Sequence, residues 1–254
     1  MRVFALSDIH VDFAANAAWV SALPLHDYQE DILILAGDVS DTLERFRQCL
    51  EEFVLRFRRV FFVPGNHDLW VIRDEKWMTS LDKFEQIKAI VNACGASMRP
   101  ENVGEVAIVP LLGWYDYSFG MPDPQLTGMW ADFRACRWPD GWREQEITEH
   151  FIAQNDISRI QPGRFIISFS HFLPRIDVMP IFIPPEKRNI YPVLGSDKLE
   201  RLIRQIGSDM HVYGHSHVNR DVVIGGVHYI NNAFAYPHEE RIAAKALRCI
   251  YRTE

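Results

Sequence analysis

An α/β fold with crossover connections is predicted by three observations. Short β-branched and aromatic runs recur along the chain, amphipathic helical patterns lie between several of them, and clusters of polar residues begin where the runs stop. The runs at Val3–Leu6, Ile32–Ala36, Val60–Val63, Val106–Leu112, Phe165–Phe169 and His211–Tyr213 read as strands of a largely buried sheet. Between the second and third, Thr42–Phe57 places Leu43, Phe46, Leu50, Phe53, Val54 and Phe57 at three-and-four spacing, with Asp41 positioned as the helix N-cap. The same spacing predicts helices near Glu75–Cys94, Arg143–Ile160 and Asp197–Ile206. After Tyr213 the pattern changes to short segments, Asp221–Ile224, Val227–Ile230 and Ala246–Tyr251. Gly225-Gly226 forms a tight hairpin turn there, and an antiparallel arrangement is expected.

Two stretches carry no such periodicity. Gly113–Trp142 holds Trp114, Tyr115, Tyr117, Phe119, Trp130, Phe133, Trp138 and Trp142 among Pro and Gly, an ordered excursion whose aromatic residues are mostly core or self-packing and which is one candidate wall over a site. Trp114 and Tyr115 directly follow a strand and are the candidates there for stacking a nucleobase, with the adjoining Asp116 to be tested beside them. Pro174–Pro192 is rich in proline and is the second candidate wall of a site.

The 254 residues are expected to form one domain spanning 1–254, since no composition shift marks a linker. No segment approaches the roughly 18 apolar residues of a membrane span. The first strand begins directly after Met1-Arg2, which leaves no room for a signal peptide and favours the cytoplasm. Cys49, Cys94, Cys136 and Cys249 are far apart, so neither a thiolate zinc site nor a disulfide framework is indicated. The net charge of −7 disfavours duplex nucleic acid as a partner.

Five strand ends, in chain order, supply metal-donor side chains. Asp8 and His10 follow the first strand, and an extended backbone would turn both to one side. Gly37-Asp38 follows the second, and Pro64-Gly65 turns the third into Asn66-His67-Asp68. His171 follows the fifth strand, and Gly214-His215-Ser216-His217 ends the sixth. Each of these pieces has an ordinary structural explanation, a capping acid or a packed histidine. Their joint occurrence at strand ends, where open α/β sheets bind ligands, points instead to divalent-metal chemistry. Two cations about 3.5 to 4 Å apart need a bridging anion, for which Asp38 is the candidate. Asp8, His10, Asp38, Asn66, His171, His215 and His217 offer oxygen and nitrogen without thiolate. That set suits manganese, iron, zinc, cobalt or nickel, with manganese favoured.

These residues resemble the calcineurin-like metallophosphoesterase family, whose ordered motifs are Asp-x-His, Gly-Asp, Gly-Asn-His-Asp/Glu, His and Gly-His-x-His. The match runs from Asp8 to His217. The resemblance implies a four-layer αββα sandwich of two mainly mixed β-sheets flanked by helices, with a dinuclear centre at the strand ends. By that pattern Asp8, His10, Asp38 and His217 would hold one metal, and Asp38, Asn66, His171 and His215 the other. The implied reaction is phosphoester hydrolysis by in-line attack of metal-bound hydroxide. His67 would donate a proton to the leaving oxygen or bind a phosphoryl oxygen, with Asp68, or alternatively Asp41, orienting its ring.

One departure bears on substrate. The branch with protein phosphatases carries Gly-Asp-x-Val-Asp-Arg, whereas this chain reads Gly37-Asp38-Val39-Ser40-Asp41-Thr42. The missing arginine fork favours phosphodiesters over dianionic monoesters, unless Arg175 or Arg220 replaces it. The expected substrate is a small phosphodiester or a nucleotide. The competing readings are a serine/threonine protein phosphatase and a non-catalytic binding scaffold on the same fold. The intact donor set and His67 speak against the scaffold.

Overall fold

The computed structural model describes residues 1–158, 160 and 163–253. Two sheets face each other. The first has the order β10-β1-β2-β3, built from β1 (Arg2–Leu6), β2 (Ile32–Ala36), β3 (Arg59–Val63) and β10 (Arg248–Arg252). The second has the order β4-β5-β6-β7-β9-β8, built from β4 (Glu101–Val103), β5 (Val106–Pro110), β6 (Phe165–Phe169), β7 (Met210–Tyr213), β8 (Arg220–Ile224) and β9 (Val227–Asn231). The inner strands of each sheet run parallel, and the edge strands β10, β4 and β8 are antiparallel to their neighbours.

Alternation along the strands builds the layers. Val3, Ala5, Ile32, Ile34, Phe61 and Val63 meet Val106, Ile108, Ile167, Phe169 and Val212 between the sheets. The intervening residues Phe4, Leu6, Leu33, Leu35, Val60 and Phe62 belong to a separate outer cluster with Phe46, Leu50 and Phe53, which lie on α2 (Leu43–Arg56). Strands apolar on both faces are therefore buried on both faces. The remaining helices are α1 (Ala14–Ser21), α3 (Ser80–Cys94), α4 (Pro124–Met129), α5 (Asp132–Ala135), α6 (Glu144–Ile152) and α7 (Asp197–Ile206).

Several boundaries differ from the sequence reading. Asp41 does not cap α2; Thr42 occupies that position without a side-chain bond. The third helix starts at Ser80, where Thr79 and Asp82 form a reciprocal capping box. The helix expected over 143–160 ends at Ile152; position 159 lies outside the described residues. The Gly225-Gly226 hairpin is present, both glycines having positive φ, but β9 also pairs parallel to β7, so the C-terminal part is not wholly antiparallel. Trp114 and Tyr115 are buried in the core, packed on each other and on Phe172, and offer no face to a nucleobase.

One buried polar group lies within the second sheet itself. His211 on β7 is fully buried between Ser168 Oγ at 2.8 Å and Ser170 Oγ at 3.1 Å. Burial lowers its pKa from 6.5 to about 3. Between those values an unfolded imidazole takes up a proton that the folded one refuses. Stability must therefore fall as pH drops from 6.5 towards 3. Denaturant midpoints measured from pH 7 to pH 4 should decline, and the decline should be shallower in His211→Gln.

Candidate metal centre

Every predicted donor lies on a loop leaving the carboxyl end of a strand. The loops after β1 and β2 are bonded to each other, Asp8 N–H to the Gly37 carbonyl at 2.9 Å and His10 N–H to the Asp38 carbonyl at 3.0 Å. Asp8, His10, Asp38, His215 and His217 all adopt positive φ, between 42° and 67°. Non-glycine residues enter this region at an energetic penalty, and such strain collects at functional sites. The donors of β1 thus converge through left-handed turns, not through the extended backbone expected. Gly37 and Gly65 permit the approach of the neighbouring loops: a Cβ at Gly37 would overlap the His171 ring, and one at Gly65 would overlap Asp38 Oδ1.

Two groups of donors result, Asp8, His10, Asp38 and His217 in one, Asp38, His171 and His215 in the other. The ligand atoms of each lie within 4.8 Å of one another. Asp38 belongs to both. Its Oδ1 lies 3.5 Å from His171 Nε2 and its Oδ2 3.8 Å from His10 Nε2. Asn66 joins the second group through Oδ1, 3.1 Å from His171 Nε2.

The outward hydrogen bonds fix which atoms face inward. His171 Nδ1 donates to the Ala36 carbonyl at 2.9 Å and His215 Nε2 to the Val193 carbonyl at 3.0 Å. Carbonyls only accept, so the inner nitrogens, His171 Nε2 and His215 Nδ1, carry lone pairs 3.2 Å apart. Asn66 Nδ2 donates to Asp132 Oδ1 at 2.9 Å, which turns the Asn66 oxygen to the same point. Three electron pairs converge with no proton between them, an arrangement that repels unless a cation lies at its centre. The residues fit a divalent ion. In the other group His217 Nδ1 donates to Glu239 Oε2 at 2.7 Å, and His217 Nε2 faces Asp8 Oδ1 at 3.3 Å. His10 Nδ1 is buried without a partner, and the ring is held between those of His67 and Tyr236, at centroid distances of 4.7 Å each.

The electrostatics divide the donors. Burial lowers His10 and His171 to about 3 and His215 to about 4, the neutral form that binds metal. His217 is lifted to about 9: burial opposes its charge, but Asp8 and Glu239 outweigh it. Burial works against ionisation of Asp8, yet the facing imidazoles, His217 foremost, hold it well below the ordinary carboxylate range. Asp38 is pushed well above that range by burial and by the nearby Asp8 and Asp68. Carboxylates crowded in this way call for cationic charge.

His67 lies beside the centre without belonging to either group. Its Nε2 is 4.0 Å from Asp38 Oδ2, its ring stacks on Trp70 at 3.6 Å, and its backbone N–H donates to Asp38 Oδ1 at 2.9 Å. Asp68 does not orient the ring. Its oxygens accept the backbone N–H groups of Asp38, Val39, Ser40 and Gly65 at 2.8 to 3.1 Å, clasping the loops after β2 and β3. Asp41 pairs with Arg73 at 3.2 Å and does not reach His67.

Sequence reasoning missed the outer supports Asp132 and Glu239. Asp132 Oδ1 holds both Asn66 and, at 2.7 Å, Trp70 Nε1, while Oδ2 accepts Trp130 Nε1 at 2.8 Å. The aromatic excursion thus reaches the centre through this buried carboxylate and through Trp130, whose ring lies edge-on to that of His215 at 5.9 Å. Removing such a partner typically weakens metal binding about 10- to 100-fold. Asp132→Ala should show that loss in a metal titration while keeping the strands and their core.

Donor groups sharing a carboxylate at the strand ends of two facing sheets form a cluster that could hold divalent metal ions. The chain belongs to the calcineurin-like phosphoesterase family, whose model matches residues 1–219. It is therefore a hydrolase of phosphoester bonds. A curated relative, the acyl-carrier-protein phosphodiesterase PptH of Mycobacterium tuberculosis, is 25% identical over 268 residues, covering 94% of this chain and 79% of the relative. The crystal structure of the phosphopantetheinyl hydrolase PptH from the same organism matches with a TM-score of 0.76 at 23% identity, covering 98% of this chain and 95% of that one. TT1561 of Thermus thermophilus matches with a TM-score of 0.51 at 13% identity, covering 91% and 89% of the two chains. The family match and the paired sheets bear out the expected fold. No helix among the described residues is long and apolar enough to cross a membrane.

Proposed function

We propose that the chain is a phosphodiesterase working with two divalent cations, one held by Asp8, His10, Asp38 and His217 and the other by Asp38, Asn66, His171 and His215. The carrying observation is the convergence of the unprotonated His171 Nε2, His215 Nδ1 and Asn66 Oδ1 beside the shared Asp38. When bound, such a pair of cations supplies a nucleophilic hydroxide at neutral pH and neutralises phosphoryl oxygens. The protein's own part is positional. Asp38 sets the separation of the two groups, and the outward bonds to Ala36, Val193 and Glu239 hold the imidazoles in one tautomer. His67 presents its ring nitrogen on the side of Asp38 open to a leaving oxygen. Mixed oxygen and nitrogen donors without thiolate suit manganese, iron, zinc, cobalt or nickel, and manganese is the ion used in the test below.

The diester preference rests on Thr42, which stands where the phosphatase branch carries its arginine fork. Of the two arginines that could replace that fork, Arg175 is held by Asp177 and by Glu200 at 3.0 Å, whereas Arg220 has a buried Nε without a hydrogen-bond partner. The relative's action on acyl carrier protein supports a diester that links a small organic phosphate to a protein, in place of the free small molecule or nucleotide expected from sequence. Four unpaired cysteines support a reducing compartment, the cytoplasm. Incubation with a phosphopantetheinylated acyl carrier protein and manganese should release the prosthetic group, read as a mass loss from the carrier. An unmodified carrier, with a free organic diester or nucleotide diester cleaved under the same conditions, would assign the smaller substrates instead.

A further inference from the structure

The family model ends at residue 219, yet the chain beyond it returns to the centre. After β9, Phe234 N–H and Ala235 N–H donate to the carbonyls of Ser7 and Asp8, each at 2.8 Å, laying the segment along the first donor loop. Ala235 has a φ of 62°, which turns the next residue, Tyr236, over the site. The turn is clamped from both sides. Lys245 Nζ donates to the carbonyls of Phe234, Ala235 and Tyr236, and Glu239 Oε2 accepts Tyr236 N–H at 3.0 Å as well as His217 Nδ1–H. A phenol placed this firmly is preorganised.

The Tyr236 ring lies against His10 at 4.7 Å, His217 at 4.8 Å and Phe13 at 5.4 Å. Its hydroxyl reaches His67 Nε2 at 3.4 Å, the same nitrogen that lies 4.0 Å from Asp38 Oδ2. Both distances are long for a hydrogen bond and leave the phenol and the imidazole side by side, converging on the space beside Asp38. We propose that Tyr236 is a further substrate-contacting residue, its O–H donating to a non-bridging phosphoryl oxygen beside His67. A neutral donor there suits the single negative charge of a diester and occupies the role that the absent arginine would play for a dianion. This rests on the phosphodiesterase reading above.

Tyr236→Phe keeps the ring packing and removes only the hydroxyl. With wild type cleaving an aryl diester, the variant should retain its metal content and thermal midpoint but lose about 10- to 100-fold in kcat/KM. It should also bind a non-hydrolysable phosphonate monoester, the singly charged analogue of the diester, correspondingly less tightly. The loss should persist when both proteins also carry His67→Ala. An activity and phosphonate affinity within twofold of wild type would overturn the proposal. So would a loss that vanishes in the His67→Ala background, since the phenol would then act only by positioning His67. Failure of wild type itself to cleave any phosphoester would count against the phosphodiesterase reading, while the phosphonate affinities of the two proteins would still decide the contact.

Discussion

Replacing Asp38 with Asn is expected to remove bound metal and phosphoester hydrolysis together. Among the described residues no other side chain belongs to both donor groups, and it is fully buried, with one oxygen turned to His171 and the other to His10. The amide conserves shape but replaces one oxygen with an N–H donor and removes the negative charge that lets two cations approach within about 4 Å. Loss of one cation would also undo the other group, since each relies on the same carboxylate. Elemental analysis after dialysis, with circular dichroism to show that the fold persists, should find stoichiometric metal in wild type and strongly reduced metal in the variant. A folded variant that keeps both its metal and its turnover would remove Asp38 as the shared ligand.

The second large effect is expected at His67. His67→Ala should leave metal content unchanged, because His67 is in neither donor group, and should reduce turnover by about 10² to 10⁴. The ring is held by stacking on Trp70, whose indole is in turn fixed by Asp132, so its position beside Asp38 does not depend on a bound substrate. If the imidazole serves the leaving oxygen, the loss should be larger for alkyl than for aryl leaving groups, which depart without help. Equal losses for the two would assign the ring to a phosphoryl oxygen instead. Unchanged rates for both would exclude either role.

The donors were readable from sequence because each follows a buried strand, and parallel neighbours bring strand ends to one edge. Val60–Val63 followed by Pro64-Gly65 forecasts a loop that leaves the sheet, and Asn66 and His67 arrive where that loop leads. Local carboxylates were misread for a physical reason. Asp68 adjoins His67 in sequence and looks like its partner, but the short helical turn from His67 to Leu69 swings it inward to four amides. Asp41 precedes an amphipathic helix and looks like a cap, but the helix begins one residue later. Asp132 and Tyr236 carry no local signal at all. One lies among aromatic residues whose packing hides its role, and the other lies well past the last motif. Only the folded chain brings them to Asn66 and His67.

Positive φ at five of the seven donors was equally invisible, since none of the five is glycine. Left-handed Asp and His residues are tolerated because the surrounding loops over-determine them, through the bonds from Asp8 and His10 to the loop after β2 and from His215 N–H to Asp8 Oδ1 at 3.0 Å. The donor arrangement is therefore fixed by the backbone of the loops that carry it.

The most direct test counts the metal and measures diester selectivity on one preparation. Protein loaded with manganese and freed of excess ion should contain two equivalents per chain. It should hydrolyse a bis-aryl phosphate faster than the matching aryl monoester, with activity rising as the second equivalent is added. Two bound equivalents with neither ester cleaved, or full activity without metal after exhaustive chelation, would contradict the account.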